Sequence, residues 1–145
     1  MTEKTQATGP VSIGSLLTPS KTLPMEYPDF EGWTVELTYL SREELMKVRN
    51  RCLKQQFNKK TRQFEEVLDD DLFLTNYVRA VIKGWTGLKY KHLSDLVLVD
   101  LGSVDPESEC EYSQENAEIL MKNSPNFDTW VTECVGELEN FTSNK

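Results

Sequence analysis

A chain of 145 residues with 38% hydrophobic and 10% aromatic side chains has the size of one domain with a modest core, which argues against a second independent core. A formal net charge of -8 and a pI near 4.7 argue against a binder of nucleic-acid phosphates, which would present excess lysine and arginine. The charge is also uneven: residues 1–100 hold 14 acidic and 14 basic side chains, residues 101–145 hold 10 and 2, and residues 42–62 hold 8 basic against 2 acidic. Head-to-tail self-association is one physical consequence of such polarity.

Residues 1–32 are rich in Thr, Ser, Pro and Gly, with Pro10, Pro19, Pro24 and Pro28 spaced too closely for a useful helix. They read as a flexible N-terminal arm, in which Val11, Ile13, Leu16, Leu17 and Leu23 could order on a partner. Trp33, Val35, Leu37 and Tyr39 then alternate with polar residues, which predicts a half-buried strand whose free edge needs a partner in this chain or in another subunit.

Ser41 and Glu44 form a capping box, with Leu40 and Leu45 as a hydrophobic staple, so a helix is predicted to start there and run to about Phe57. Its basic residues read as a solvated face or as a dock for an acidic partner. Asn58–Leu68 opens with turn chemistry and predicts a short hairpin or an irregular connection.

The clearest periodicity lies in Asp71–Leu88, where Leu74, Tyr77, Val78, Val81, Ile82 and Trp85 recur at helical spacing. Asp69, Asp70 and Asp71 suit the start of this central helix, and Gly84 and Gly87 its end. Beyond it, Leu88–Leu101 predicts a helical turn near His92 and then an extended piece, and acidic Gly102–Glu111 a surface loop. Ser113 caps a short helix with Ala117, Leu120 and Met121 inward. Ser124-Pro125 starts a last helix that should bury Phe127, Trp130, Val131, Cys134, Val135, Leu138 and Phe141, with the end fraying from Thr142.

The expected fold is therefore mainly α: a small domain of about four helices over residues 33–141, with one or two short N-terminal strands, a flexible arm 1–32 and a frayed end 142–145.

No catalytic constellation stands out. His92, the single histidine, has no cysteine or second histidine beside it, and Cys52, Cys110 and Cys134 match neither a zinc pattern nor a redox pair. They read as free thiols in a reducing compartment. Phosphate-loop, GxGxxG and HExxH motifs are missing, and consecutive aspartates at a helix start fit capping better than a cation loop. No apolar run approaches the roughly 20 residues that cross a bilayer. The expectation is a soluble, non-enzymatic protein without catalytic, metal or cofactor sites, and without nucleic acid, membrane or small-molecule partners.

Several blocks in order carry a resemblance: Tyr27-Pro28-Asp29-Phe30, Leu37-Thr38-Tyr39-Leu40-Ser41, Ile82-Lys83-Gly84-Trp85-Thr86-Gly87-Leu88, Tyr112-Ser113-Gln114-Glu115-Asn116-Ala117, and Ser124-Pro125-Asn126-Phe127 leading to Leu138-Glu139-Asn140-Phe141. Over about residues 25–141 the chain resembles the tail assembly chaperones of long-tailed bacteriophages. The resemblance implies a small, non-enzymatic helical protein of the host cytoplasm, absent from the mature virion. It would bind the tape measure protein, keep it soluble and help recruit tail tube protein. A structural minor tail or head–tail completion protein is the alternative, and an acidic mimic of nucleic acid a more distant one. Apolar residues in excess of a compact helical core nominate Trp85, Leu88, Tyr90, Leu96 and Leu98 as partner-binding, and with the free strand they point to a homo-oligomer. Trp85 is the deciding residue: if its own subunit buries it, the contact surface lies elsewhere.

Overall fold

The structure is a computed structural model and describes residues 10–18 and 20–142. Parts of the expected arm (1–9 and Pro19) and of the expected frayed end (143–145) lie outside the described residues. After a 3-10 turn at Ile13–Ser15 come β1 (Thr22–Glu26), β2 (Thr34–Thr38), α1 (Arg42–Asn50), β3 (Leu53–Asn58), β4 (Gln63–Leu68), α2 (Asp70–Val81) and β5 (Ile82–Thr86). Then follow α3 (Tyr90–Leu93), α4 (Gln114–Asn123), α5 (Pro125–Gly136) and α6 (Glu139–Thr142). Among the described residues there are five strands in two antiparallel sheets, at 41% helix and 22% strand, so the fold is mixed α/β. The mainly-α expectation is corrected.

A three-stranded sheet in the order β1-β2-β5 organises the body. β2 is its central strand, paired on both sides, so the free edge expected at 33–39 does not exist. The alternation of that segment was informative about burial: Trp33, Val35 and Leu37 are buried and Glu36 is exposed. β1 comes from the segment expected to be part of the arm. Its connection to β2 is pinned by Tyr27 and Phe30, both buried, and by the Tyr27 N–H donating to the Trp33 carbonyl oxygen at 2.9 Å. Tyr27 lies 4.8 Å from Trp33, which stacks on Phe127 of α5 at 5.4 Å and 13°. Aromatic faces and edges thus join the first strands to the penultimate helix.

The central helix ends at Val81, and Ile82–Thr86, expected to continue it, is a strand. The helical spacing of Ile82 and Trp85 has a different cause. Leu37 pairs with Ile82 but Glu36 pairs with Gly84, so Lys83 is an extra residue in a β-bulge. The bulge lets two side chains three residues apart, Ile82 and Trp85, both face the core while Lys83 stays exposed.

The first helix likewise stops early, at Asn50. Its capping box is present, with the Glu44 N–H donating to Ser41 Oγ at 3.1 Å. Residues 53–58 instead pair with 63–68 in full register from Leu53↔Leu68 to Asn58↔Gln63. Lys54, Gln55 and Gln56 tolerate a helix, but no apolar stripe would hold one against the body, and Asn58 closes a turn instead. The last helix breaks at Gly136: Glu137 is extended (φ -99, ψ 103), and the Cys134 carbonyl accepts both the Glu137 N–H at 3.4 Å and Asn140 Nδ2 at 3.2 Å. The break turns Leu138 to solvent, against expectation, and lets Phe141 of α6 bury against Tyr39.

Candidate partner-binding surfaces

The five residues nominated from sequence do not form one surface. Trp85, Leu88 and Leu96 are buried in their own core, Tyr90 is half-buried against it, and only Leu98 stands free. Trp85 meets Trp33 and Tyr112 edge-on and donates its indole N–H to the Cys110 carbonyl oxygen at 2.8 Å. The acidic loop is tied to the Leu88 backbone, the Cys110 N–H donating to the Leu88 carbonyl at 2.6 Å. Nearby, the Tyr90 and Lys91 N–H groups donate to the Ser108 and Pro106 carbonyls at 2.9 and 3.0 Å. Lys89 and Lys91 hold Glu107 at 3.3 and 3.1 Å, and their hydrogen bonds, led by that of Lys91, keep its carboxyl below the usual range. Trp85 is thus buried within its own subunit and does not present an exposed contact.

The most prominent uncovered feature is the β3–β4 hairpin. Only its root is anchored, by the Leu53↔Leu68 pair and by the Asp69 N–H donating to the Cys52 carbonyl at 2.8 Å. Residues 54–57 and 59–66 are exposed, so the ribbon projects from the body over about 17 Å, at roughly 3.3 Å per residue. Near its tip Phe57 and Phe64 form a cross-strand, edge-to-face pair at 5.3 Å, and they remain 47% and 70% exposed. Asn58 shapes the turn: its Oδ1 accepts from the Lys60 and Thr61 N–H groups at 2.9 and 3.3 Å, and its Nδ2 donates to Glu65 at 2.8 Å. Lys59, Lys60 and Arg62, the last in left-handed backbone (φ 62), lie in the turn that joins the two strands carrying the aromatic pair. Among the described residues none of these three cations has an ion-pair partner. Sequence reading located the turn and the positive charge but assigned Phe57 to a helix; the missed signal was a phenylalanine on each side of an asparagine-led turn.

Two further surfaces are uncovered. Val11, Ile13, Leu16 and Leu17 in the N-terminal segment are all more than half exposed. Between α2 and α4 runs a groove of about 260 Å³ with Leu74 and Ile119 in its lining and Asp71, Glu115, Glu118 and Lys122 around them.

A wider groove of about 640 Å³ runs beside His92, whose ring stacks on Phe30 at 4.6 Å and 8°. Its walls mix Asp29, Glu31 and Asp95 with Lys89 and Lys91, and no serine, cysteine or second histidine lines it. The described residues contain no cluster of three metal-ligating side chains and no helix long and apolar enough to cross a membrane. Asp69 acts as a cap, accepting from the Leu72 N–H at 3.2 Å.

The family model described as YdaY prophage protein matches residues 38–145, about three-quarters of the chain. The chain therefore belongs to the YdaY prophage protein family and is phage-related. The match takes in the hairpin and both walls of the α2/α4 groove. No curated protein and no solved structure matches the chain.

Proposed function

We propose that the chain is a non-enzymatic assembly chaperone of phage tails, which binds the tape measure protein, keeps it soluble and helps recruit tail tube protein. On this reading it acts in the host cytoplasm as a homo-oligomer, needs no cofactor, and is left out of the finished virion. Membership of a prophage protein family supports the phage setting, and the ordered blocks described from the sequence support the tail-assembly role.

The observation that carries the client-binding part is the N-terminal segment. Val11, Ile13, Leu16 and Leu17 are kept out of the core and stand more than half exposed. A short apolar segment of this kind can order against the apolar stripe of a helical client, and the client is thereby shielded from self-association. Leu98, fully exposed on the far side of the sequence, is a second available contact.

Co-expression with the large helical tape-measure product of the same phage tests the reading. The client should become soluble and co-purify, and Ile13→Ser, Leu16→Ser and Leu17→Ser together should abolish co-purification while the chain stays folded. A client equally insoluble with and without the chain would overturn the proposal. So would recovery of the chain in stoichiometric amounts from purified virions, which is the outcome for a structural minor tail or head–tail completion protein.

A further inference from the structure

We propose that the β3–β4 hairpin is an exchange arm, whose Phe57–Phe64 tip enters the α2/α4 groove of a second copy of this chain while that copy's arm enters the groove of the first. The proposal rests on the homo-oligomeric part of the reading above and supplies its geometry.

Three observations converge on a second copy as the occupant. The first is chemical fit. The tip offers two exposed phenyl rings and, in the turn between their strands, the exposed cations Lys59, Lys60 and Arg62. The groove offers Leu74 and half-exposed Ile119 as an apolar lining, with Asp71, Glu115 and Glu118 against one ammonium, Lys122. Lys122 stands 4.0 Å from Asp71, and Glu118 is held by Thr75 and Gln114 at 3.0 and 2.7 Å, so Glu115 carries no such partner among the described residues. A positive, aromatic knob thus faces a negative, apolar slot of the same protein.

The second observation is reach. The ladder is unbroken from Leu53↔Leu68 to Asn58↔Gln63, so the tip is held about 17 Å from its root and cannot curl back onto its own body. The third is placement. β4 ends at Leu68, Asp69 caps α2, and Asp71 already rims the groove, so the root of the arm and the receiving groove are neighbours. When root and receptor are adjacent, a two-fold axis between two molecules brings each tip to the other's groove with the arms antiparallel, and the contact closes as a dimer. The outer edges of a two-stranded ribbon are unpaired in the isolated chain, and arms lying alongside one another can satisfy them. Three tip cations could also meet nucleic-acid phosphates, but the chain's charge of -8 opposes that partner and favours the acidic groove.

The test is light scattering coupled to gel filtration on the full chain, at about 50 mM and about 500 mM salt, a range that screens surface charge strongly. The wild type should be dimeric at low salt, with a dissociation constant at least about ten-fold weaker at high salt. Lys59→Glu/Lys60→Glu/Arg62→Glu should be monomeric, as should Asp71→Lys/Glu115→Lys, each with an unchanged circular dichroism spectrum. Mixing the two variants should restore association through reversed charges. A second tip variant, Phe57→Ser/Phe64→Ser, should be monomeric at both salt concentrations. A wild type that is monomeric throughout, a dimer indifferent to the tip variants, or a tip-dependent mobility shift of duplex DNA by a monomeric chain would each overturn the exchange arm. Client solubility is scored separately: a monomer that still solubilises the tape-measure product removes the arm and spares the chaperone reading, and an exchanged dimer without effect on the client does the reverse.

Discussion

The indole of Trp85 donates its N–H to the carbonyl oxygen of Cys110, 25 residues away, at 2.8 Å. This bond fastens the edge strand β5 to the segment that enters α4, inside the aromatic cluster that also contains Trp33 and Tyr112. Trp85→Phe keeps the ring but leaves a buried carbonyl without its donor, and should cost about 1–3 kcal/mol. Trp85→Ala adds a cavity and should cost about 3–5 kcal/mol. Urea unfolding checks both values. Because Trp85 is only 6% exposed, Trp85→Phe should leave client co-purification unchanged once the protein is folded.

Gly87 and Gly136 should respond in opposite ways to alanine. At Gly87 the backbone has φ +87, and an added Cβ would be driven into the Gly32 carbonyl oxygen of the β1–β2 connection. Gly87→Ala should destabilise by about 2 kcal/mol or more. Gly136, the last residue of α5, has open space where a Cβ would go, and Gly136→Ala should be neutral or stabilise by up to about 0.5 kcal/mol. Thermal melts of the two variants in parallel separate the cases.

Ser124 links two helices while almost fully buried. It ends α4 and caps α5, with the Phe127 N–H donating to its Oγ at 3.2 Å. Ser124→Ala removes that acceptor from a dry site and should cost about 1–2 kcal/mol. Ser113→Ala, at a more open cap with the Asn116 N–H at 3.0 Å, should cost less, about 0.5–1 kcal/mol. Urea midpoints measured together establish the order.

Alkaline pH should weaken the fold. Burial pushes the Cys110 and Cys134 thiols up, with Glu133 adding to the effect at Cys134, and burial also raises the Tyr77 and Tyr112 phenols. The native state therefore keeps protons that the unfolded chain releases. Stability should hold at neutral pH and fall as pH rises through the ordinary thiol and phenol values, about 8.5 and about 10. Urea midpoints across that range check the sign, and the two thiols should react with iodoacetamide more slowly than free cysteine near pH 8. A midpoint that rises with pH would contradict the assignment.

The sequence by itself determined the local starts and the buried faces. Ser41, Asp69, Ser113 and Ser124 each accept from the backbone N–H three residues on, because a capping hydroxyl or carboxylate acts within a single turn. The apolar stripes of β2 and α5 are also where the core is, since burial follows from side-chain type and period. Where elements end was decided by tertiary structure. Ile82 and Trp85 sit three apart in a helix-like pattern, but β2 required a second partner strand, and a bulge at Lys83 met that need while keeping both side chains inward. Residues 53–58 carry no stripe that would choose between helix and strand, so the choice fell to a pairing with 63–68 that only the folded chain supplies. Whether an apolar residue is core or contact was decided in the same way. Leu88 and Leu96 were taken into the buried core, while Phe57 and Phe64 were carried away from their own body by a ribbon that stays exposed along most of its length.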